Sequence, residues 1–357
     1  IKIVALPGDY TDDGQAYNLR GLKKILDEYQ KKYQMRFFIT TGNHDPVGPF
    51  LIQGGKSDFM DENGDELSII SDKKFIKNKD QKAVVTKGIA MSGYLEILSS
   101  MKDFGFTPSE NDVFWQTPFS KDSYKEFSLK NALKDSEYSN RMYEVSHGFS
   151  VPDFSYVVEP TEGIWLMAID GNTYIPKNNN GNPKDENNFN GASIGYNNVL
   201  TNKKYLFSWV EKMVNEAKKY NKTLIAFTHY PILDFNDSAN SEIKKLLGKD
   251  KWQMDRVPKD EVAELFAKAG LKLHFAGHMH INDTGIKKYD TGKMLVNIQV
   301  PSLAAYIPGY KILTVNSGDE FEVETVLIKN VPRFNELFPL YEKEFENLKN
   351  KNSQNIW

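Results

Sequence analysis

Gly277-His278-Met279-His280, Gly42-Asn43-His44-Asp45 and Gly8-Asp9-Tyr10-Thr11-Asp12 each follow an apolar, strand-like run, at 273–276, 37–39 and 3–6 respectively. A fourth stretch, Leu224-Ile225-Ala226-Phe227-Thr228-His229, ends in the same way on a single histidine. Open α/β sheets place their sites on loops at the tips of neighbouring strands. A lone Gly-Asp turn, or one histidine at a strand end, is ordinary structural punctuation. Four such loops carrying carboxylate, amide oxygen and imidazole share a chemistry that independent turns have no reason to share.

That chemistry is metal ligation. A carboxylate such as Asp9 can bridge two cations, while neutral imidazole and amide oxygen complete each shell without over-neutralising it. Two cations roughly 3.5–4 Å apart clamp the attacking and leaving oxygens of a phosphoryl displacement and acidify a bridging water. The mixed Asp, Asn and His set suits Mn²⁺, Fe²⁺ or Zn²⁺ better than Ca²⁺ or Mg²⁺. In extended chain the imidazoles of His278 and His280 would point to opposite faces, so the turn after Ala276 has to bring them together. Gly277 offers the freedom for it.

At these residues the chain resembles the calcineurin-like metallophosphoesterases, whose pattern runs Asp-x-His, Gly-Asp-x-x-Asp, Gly-Asn-His-Asp/Glu, a lone His, then Gly-His-x-His. The last four elements occur in that order between Gly8 and His280. The resemblance implies a four-layer αββα sandwich and two divalent metal ions. Asp9 would bridge them, Asn43, His229 and His278 would complete one site, and His280 would belong to the other. His44 would stand near the substrate and protonate the leaving alkoxide, with Asp45 orienting its ring. A metal-bridging hydroxide would attack phosphorus in line with the leaving oxygen.

The opening Asp-x-His has no counterpart, because no histidine here has an aspartate two positions before it. The expectation is a first strand–helix unit upstream of Ile1. Within the superfamily, Asp13 stands where serine/threonine protein phosphatases carry a phosphate-binding arginine, and a carboxylate there would repel a phosphate dianion. Asp12 stands where purple acid phosphatases carry a tyrosinate. Bacterial members of the cyclic-nucleotide phosphodiesterase type remain most similar, with the spacing of residues 197–200, Trp209 and His229-Tyr230-Pro231. A phosphodiesterase is therefore expected, with a phosphomonoesterase or nucleotidase as the alternative enzyme. The missing Asp-x-His also leaves open a catalytically silent metal-binding protein of the same fold.

A length of 357 residues accommodates one large α/β domain with a substantial insertion. A net charge of −3 gives no case for a large nucleic-acid surface, so the expected partner is a small phosphoester, a nucleotide among the candidates. No apolar run reaches the length of a membrane span. The absence of cysteine removes disulfides and thiolate ligands but fixes no compartment, and any export signal would precede Ile1.

Apolar residues at helical spacing mark helices over 19–29, 205–217 and 261–268. The core is expected at 1–50 and 161–330, where the segments 294–300, 311–315 and 321–328 would continue a second sheet. Residues 51–160 form an insertion whose Phe104, Phe106, Phe114, Trp115, Phe119 and Tyr124 suggest a cap over the substrate pocket. Residues 331–357 form a helical tail, interrupted at Pro339. Asp170 and Asn172 at a strand end, and Asn282 and Asp283 after the His-x-His, are further candidates for the site or simple turn residues. His274 alternates within a strand and reads as structural.

Overall fold

In the computed structural model, which describes residues 2–78, 81–249, 251–290, 292–317 and 320–350, two parallel strands open the chain. β1 (Ile3–Leu6) and β2 (Arg36–Ile39) are joined by α1 (Ala16–Tyr33) and pair from Ile3 with Arg36 to Leu6 with Ile39. Leu19 and Leu26 of α1 are buried, while Ile25 and Tyr29 of the same periodic set stay exposed. The helix stops where Gln34 turns left-handed, with φ of 55°.

The stretch 51–160 divides in two. β3 (Gly55–Met60), β4 (Glu66–Ile70) and β5 (Ala83–Val85) form a small three-stranded sheet of their own. Beyond it, α2 (Tyr94–Met101) packs beside α1, burying Tyr94, Ile97 and Met101 completely. β6 (Phe114–Gln116), α3 (Leu129–Asp135), the hairpin of β7 (Met142–Ser146) and β8 (Phe149–Pro152), and β9 (Tyr156–Thr161) follow. β6 and β9 are strands of the main sheet. Phe104, Phe106, Phe114 and Trp115 are buried in the two main cores and line no cap. Their bulk favours a two-sided core over a half-wet lid, and the one polar group among them, the Trp115 indole N–H, is satisfied inside it by the Gly105 carbonyl at 2.9 Å.

The main sheet continues with β10 (Ile164–Ile169), α4 (Tyr196–Asn202), α5 (Tyr205–Lys219), β11 (Thr223–Thr228), α6 (Asn240–Leu247), α7 (Asp260–Lys268), β12 (Leu273–Ala276), β13 (Asp283–Lys288) and β14 (Met294–Gln299). Its strand order is β13-β14-β12-β11-β10-β9-β6, with β10, β11, β12 and β14 mutually parallel. One face of this sheet meets β2: Phe227, Phe275 and Ile298 share a core with Phe37, Phe38 and Ile39. On the other face Trp165, Met167 and Ile169 meet Leu206, Val210, Met213 and Phe266 from α5 and α7. Helix, sheet, sheet, helix is thus the layer order, the αββα sandwich.

β14 joins the main sheet and not the second one expected from sequence. Leu295 faces the helical core and Ile298 the inter-sheet core, so the strand is buried on both sides, as a central parallel strand must be. β15 (Gly309–Ser317) and β16 (Glu320–Leu327) pair as a two-stranded ribbon whose Leu313, Val315, Phe321 and Val323 close the inter-sheet core. α8 (Phe338–Asn350) begins just before Pro339 and is not broken by it; proline is tolerated in a first helical turn, whose N–H groups lack intrahelical partners anyway. Lys343 and Asn347 of α8 donate to the carbonyls of Glu62 and Asn63 at the tip of the β3–β4 hairpin.

Between β8 and α5 lies a charged core. Lys203 is fully buried, with Nζ 3.3 Å from Asp153 Oδ2 and 3.7 Å from Asp170 Oδ2, and it donates to the Asp170 carbonyl at 2.8 Å. Removing one partner of such a set strands the others without solvent. Lys203→Met should therefore cost roughly 3–5 kcal/mol in a urea unfolding experiment. A loss below about 1 kcal/mol would show that the two aspartates are satisfied without it.

Candidate metal centre

Strand register brings the four loops together. Ile169, Thr228, Ala276 and Gln299 are successive Cα partners across β10, β11, β12 and β14. Asp170, His229 and Gly277 therefore leave adjacent strands at one level. Across the interface Leu6 pairs with Ile39, so Pro7 to Asp9 and Thr40 to Asn43 leave the smaller sheet side by side. This is the carboxyl edge at which parallel sheets gather ligands.

Two glycines permit the close approach. A Cβ on Gly42 would lie 2.1 Å from Asp9 Oδ1, and one on Gly8 would lie 2.8 Å from both His229 Nδ1 and the Thr41 carbonyl. Gly8 also has φ of +78°. The freedom expected of Gly277 is instead taken by three of the candidate residues: Asp9, His278 and His280 have φ of 50°, 66° and 56°. Left-handed backbone at three such residues is strain held in place by their surroundings.

Hydrogen bonding fixes the form of both imidazoles. His229 Nδ1 lies 2.9 Å from the Pro7 carbonyl and His278 Nε2 lies 3.1 Å from the Ser193 carbonyl, and a carbonyl can only accept. His278 Nδ1 therefore carries a lone pair, and it faces His229 Nε2 at 2.9 Å, the nitrogen that bears a proton when His229 is charged and a lone pair once a cation replaces that proton. Asp9 Oδ2 is 3.0 Å and Asn43 Oδ1 is 3.1 Å from that same His229 nitrogen. Loss of that proton to a cation leaves four lone-pair donors converging on one point. Burial and the positive neighbours His229 and Arg256 hold His278 down to about 2, so its ring is neutral. Burial raises the Asp9 carboxyl, but His229 and the His44 N–H outweigh it and hold it down to about 2. A borderline divalent cation fits this set: one carboxylate, one amide oxygen and two neutral imidazoles. Asp9, His229 and His278 form a potential metal-binding group on geometry alone.

His280 is exposed and lies outside that group among the described residues. His44 sits at the rim, its ring half exposed, and its backbone N–H donates to Asp9 Oδ1 at 2.9 Å. The carboxylate on its ring is Asp13, with Oδ1 2.6 Å from His44 Nδ1, and not Asp45. That hydrogen bond raises the His44 pKa against a smaller lowering by burial. Asp45 is buried beneath the loop and accepts from the N–H groups of Asp9 at 2.9 Å and Thr11 at 2.8 Å. Adjacent residues on a bent loop point to different sides, so sequence proximity assigned the wrong carboxylate to the ring. Asn282 accepts from Lys311, and Asp283 Oδ2 lies at 3.5 Å from Gln299 Nε2; neither contact reaches the ligand imidazoles.

Asp170 and Asn172 hold the Asn43 loop from behind. Asp170 Oδ1 accepts from Thr41 Oγ1 at 2.7 Å, and Asn172 Nδ2 donates to the Gly42 carbonyl at 2.8 Å. Tyr230 donates to Asn172 Oδ1 at 2.6 Å, joining the His229 strand to the same network. Ser193, which fixes the His278 tautomer, carried no sequence signal, and Lys56, which meets Asp12 and Asp13, carried none either. His274 is structural as expected, buried against Asn297 at 2.8 Å.

An αββα sandwich whose strand tips converge Asp, Asn and two imidazoles around one point defines a metal-dependent hydrolase fold. The calcineurin-like phosphoesterase family matches residues 1–282, a span that contains all of these residues, and the chain belongs to that family. The family hydrolyses phosphoesters with metal ions. No curated protein matches the chain.

Gly42→Ala tests the tight packing of the ligand loops. One added methyl must displace Asp9, and Mn²⁺ affinity measured by calorimetry should fall roughly 10–100-fold, the usual cost of disturbing a ligand's support. Unchanged affinity would show that Asp9 is free to move.

Proposed function

We propose that this chain is a metal-dependent phosphodiesterase using two divalent cations of the Mn²⁺, Fe²⁺ or Zn²⁺ class. Asp9, Asn43, His229 and His278 would hold one of them, and Asp9 with His280 would contribute to the other. The observation that carries the reading is the convergence of four lone-pair donors beside a half-exposed histidine backed by a carboxylate. Bound cations supply Lewis-acid polarisation of phosphoryl oxygen and a nucleophile at neutral pH.

The chain's own residues do the rest. Asp13 accepts from His44 Nδ1 and favours the imidazolium, leaving the other ring nitrogen to donate a proton to the departing oxygen. The Asp9 carboxylate accepts the His44 backbone N–H, so the proton donor is tied directly to a metal ligand. Asp45 fixes the Gly8–Thr11 turn that presents Asp9. Asp12 and Asp13 outnumber the Lys56 ammonium they share, and that carboxylate excess favours a diester, with one negative charge, over a monoester with about two. Cyclic nucleotides are diesters of this kind and join the test panel. The buried positions of Phe104, Phe106, Phe114 and Trp115 remove them as a surface for stacking a base.

Turnover should require added metal and favour diesters over the corresponding monoesters. His44→Ala should retain its metals and lose roughly 10²–10⁴ in kcat on an alkyl diester, but far less on an activated aryl diester, whose leaving group needs little protonation. Equal losses on both substrates would refute the proton-donor role. Metal binding without turnover of any phosphoester would instead support a silent metal-binding protein, and faster monoester turnover a phosphatase.

A further inference from the structure

Among the described residues, the small sheet of residues 55–85 reaches the site through one side chain. Lys56 on β3 places Nζ 2.7 and 2.6 Å from the two oxygens of Asp12 and 2.9 Å from Asp13 Oδ2. Asp13 spends its other oxygen on His44. Asp12, Asp13 and His44 are close enough together to form a second potential metal-binding group, and the Lys56 ammonium answers that group's charge from within the chain. The contact is partly sheltered: the Asp13 side chain is 14% exposed and that of Lys56 29%.

The hairpin bearing Lys56 is anchored at both ends. At its base, the Gly54 N–H donates to Ser71 Oγ at 2.9 Å, and the Ser71 N–H donates back to the Gly54 carbonyl at 2.7 Å. At its tip, Gly64 lies so close to α8 that a Cβ would stand 2.7 Å from the Glu344 nitrogen. A lysine used only for surface solubility needs no such support.

We propose that Lys56 is the charge-balancing residue of the site, supplied by the 55–85 sheet to cancel the Asp12 and Asp13 carboxylates and so admit an anionic phosphoester. Asp12, Asp13 and Lys56 together carry one net negative charge, and without Lys56 the two carboxylates carry two; the His44 imidazolium offsets one in either case. Each carboxylate left unpaired repels an incoming phosphate, and the repulsion grows with the charge on the phosphate. Lys56 also holds Asp13 between two partners, which steadies the carboxylate that meets the His44 ring. The inference rests on the metal-centre reading above, and its test separates the two.

Binding of inorganic phosphate to the Mn²⁺-loaded protein, measured by calorimetry, is the direct test, because it needs no turnover. Lys56→Met should bind Mn²⁺ like the parent protein and bind phosphate roughly tenfold more weakly, with the gap narrowing as salt screens the rim charges. Lys56→Arg should restore phosphate affinity to within about threefold, since it restores the charge. In turnover, Lys56→Met should raise KM for a monoester more than for a diester. Equal phosphate affinity in parent and Lys56→Met overturns the inference and leaves the metal centre standing. Equal loss in Lys56→Met and Lys56→Arg also overturns it, since that outcome assigns Lys56 a packing role. Failure of the parent protein to bind Mn²⁺ overturns both readings.

Discussion

Asp9 is the residue on which the site depends. Its backbone N–H donates to Asp45, one carboxylate oxygen accepts the His44 N–H, and the other faces His229. Three of the four strand-tip loops are thus tied through one side chain that also carries the charge needed to hold a cation. Burial would favour its neutral form, yet it stays ionised through its neighbours. A buried carboxylate of this kind requires positive charge nearby, and the two lone pairs of His229 and His278 turned towards it require the same.

That requirement organises the surroundings. Gly8 and Gly42 exist where a side chain would drive the loops apart, and the left-handed backbone at Asp9 and His278 is held by neighbouring chain. Such strain is maintained only by a stiff frame. The frame here is the row of parallel strands ending at Ile169, Thr228 and Ala276, backed by the Asp170–Asn172–Tyr230 hydrogen bonds and the buried Lys203. The stability of the charged core and the geometry of the ligands are therefore one problem, with Asp170 belonging to both.

Much of this was legible in the sequence because it is written in local pattern. Apolar runs ending in Asp9, Asn43, His229 and His278 named the residues that the fold brings together, and helical spacing named α1, α5 and α7. What stayed hidden depends on three-dimensional neighbours. Asp45 adjoins His44 in sequence and Asp13 lies 31 positions away, and only the path of the loops decides that Asp13 meets the ring. β14 carries the same residue types as an edge strand, but Leu295 and Ile298 on opposite faces give it a central place. The aromatics of residues 104–115 have no periodicity that separates a cap from a core. Lys56 and Ser193 act on the site across long sequence separations, which no local motif encodes.

The central claim is that Asp9 Oδ2, Asn43 Oδ1, His229 Nε2 and His278 Nδ1 surround one cation. Anomalous diffraction at the manganese edge, from crystals grown with Mn²⁺, tests it most directly. The account predicts a peak within coordinating distance of those four atoms, roughly 2.0–2.3 Å from each. No peak there, or a His278 ring turned so that Nε2 meets the metal, would contradict it.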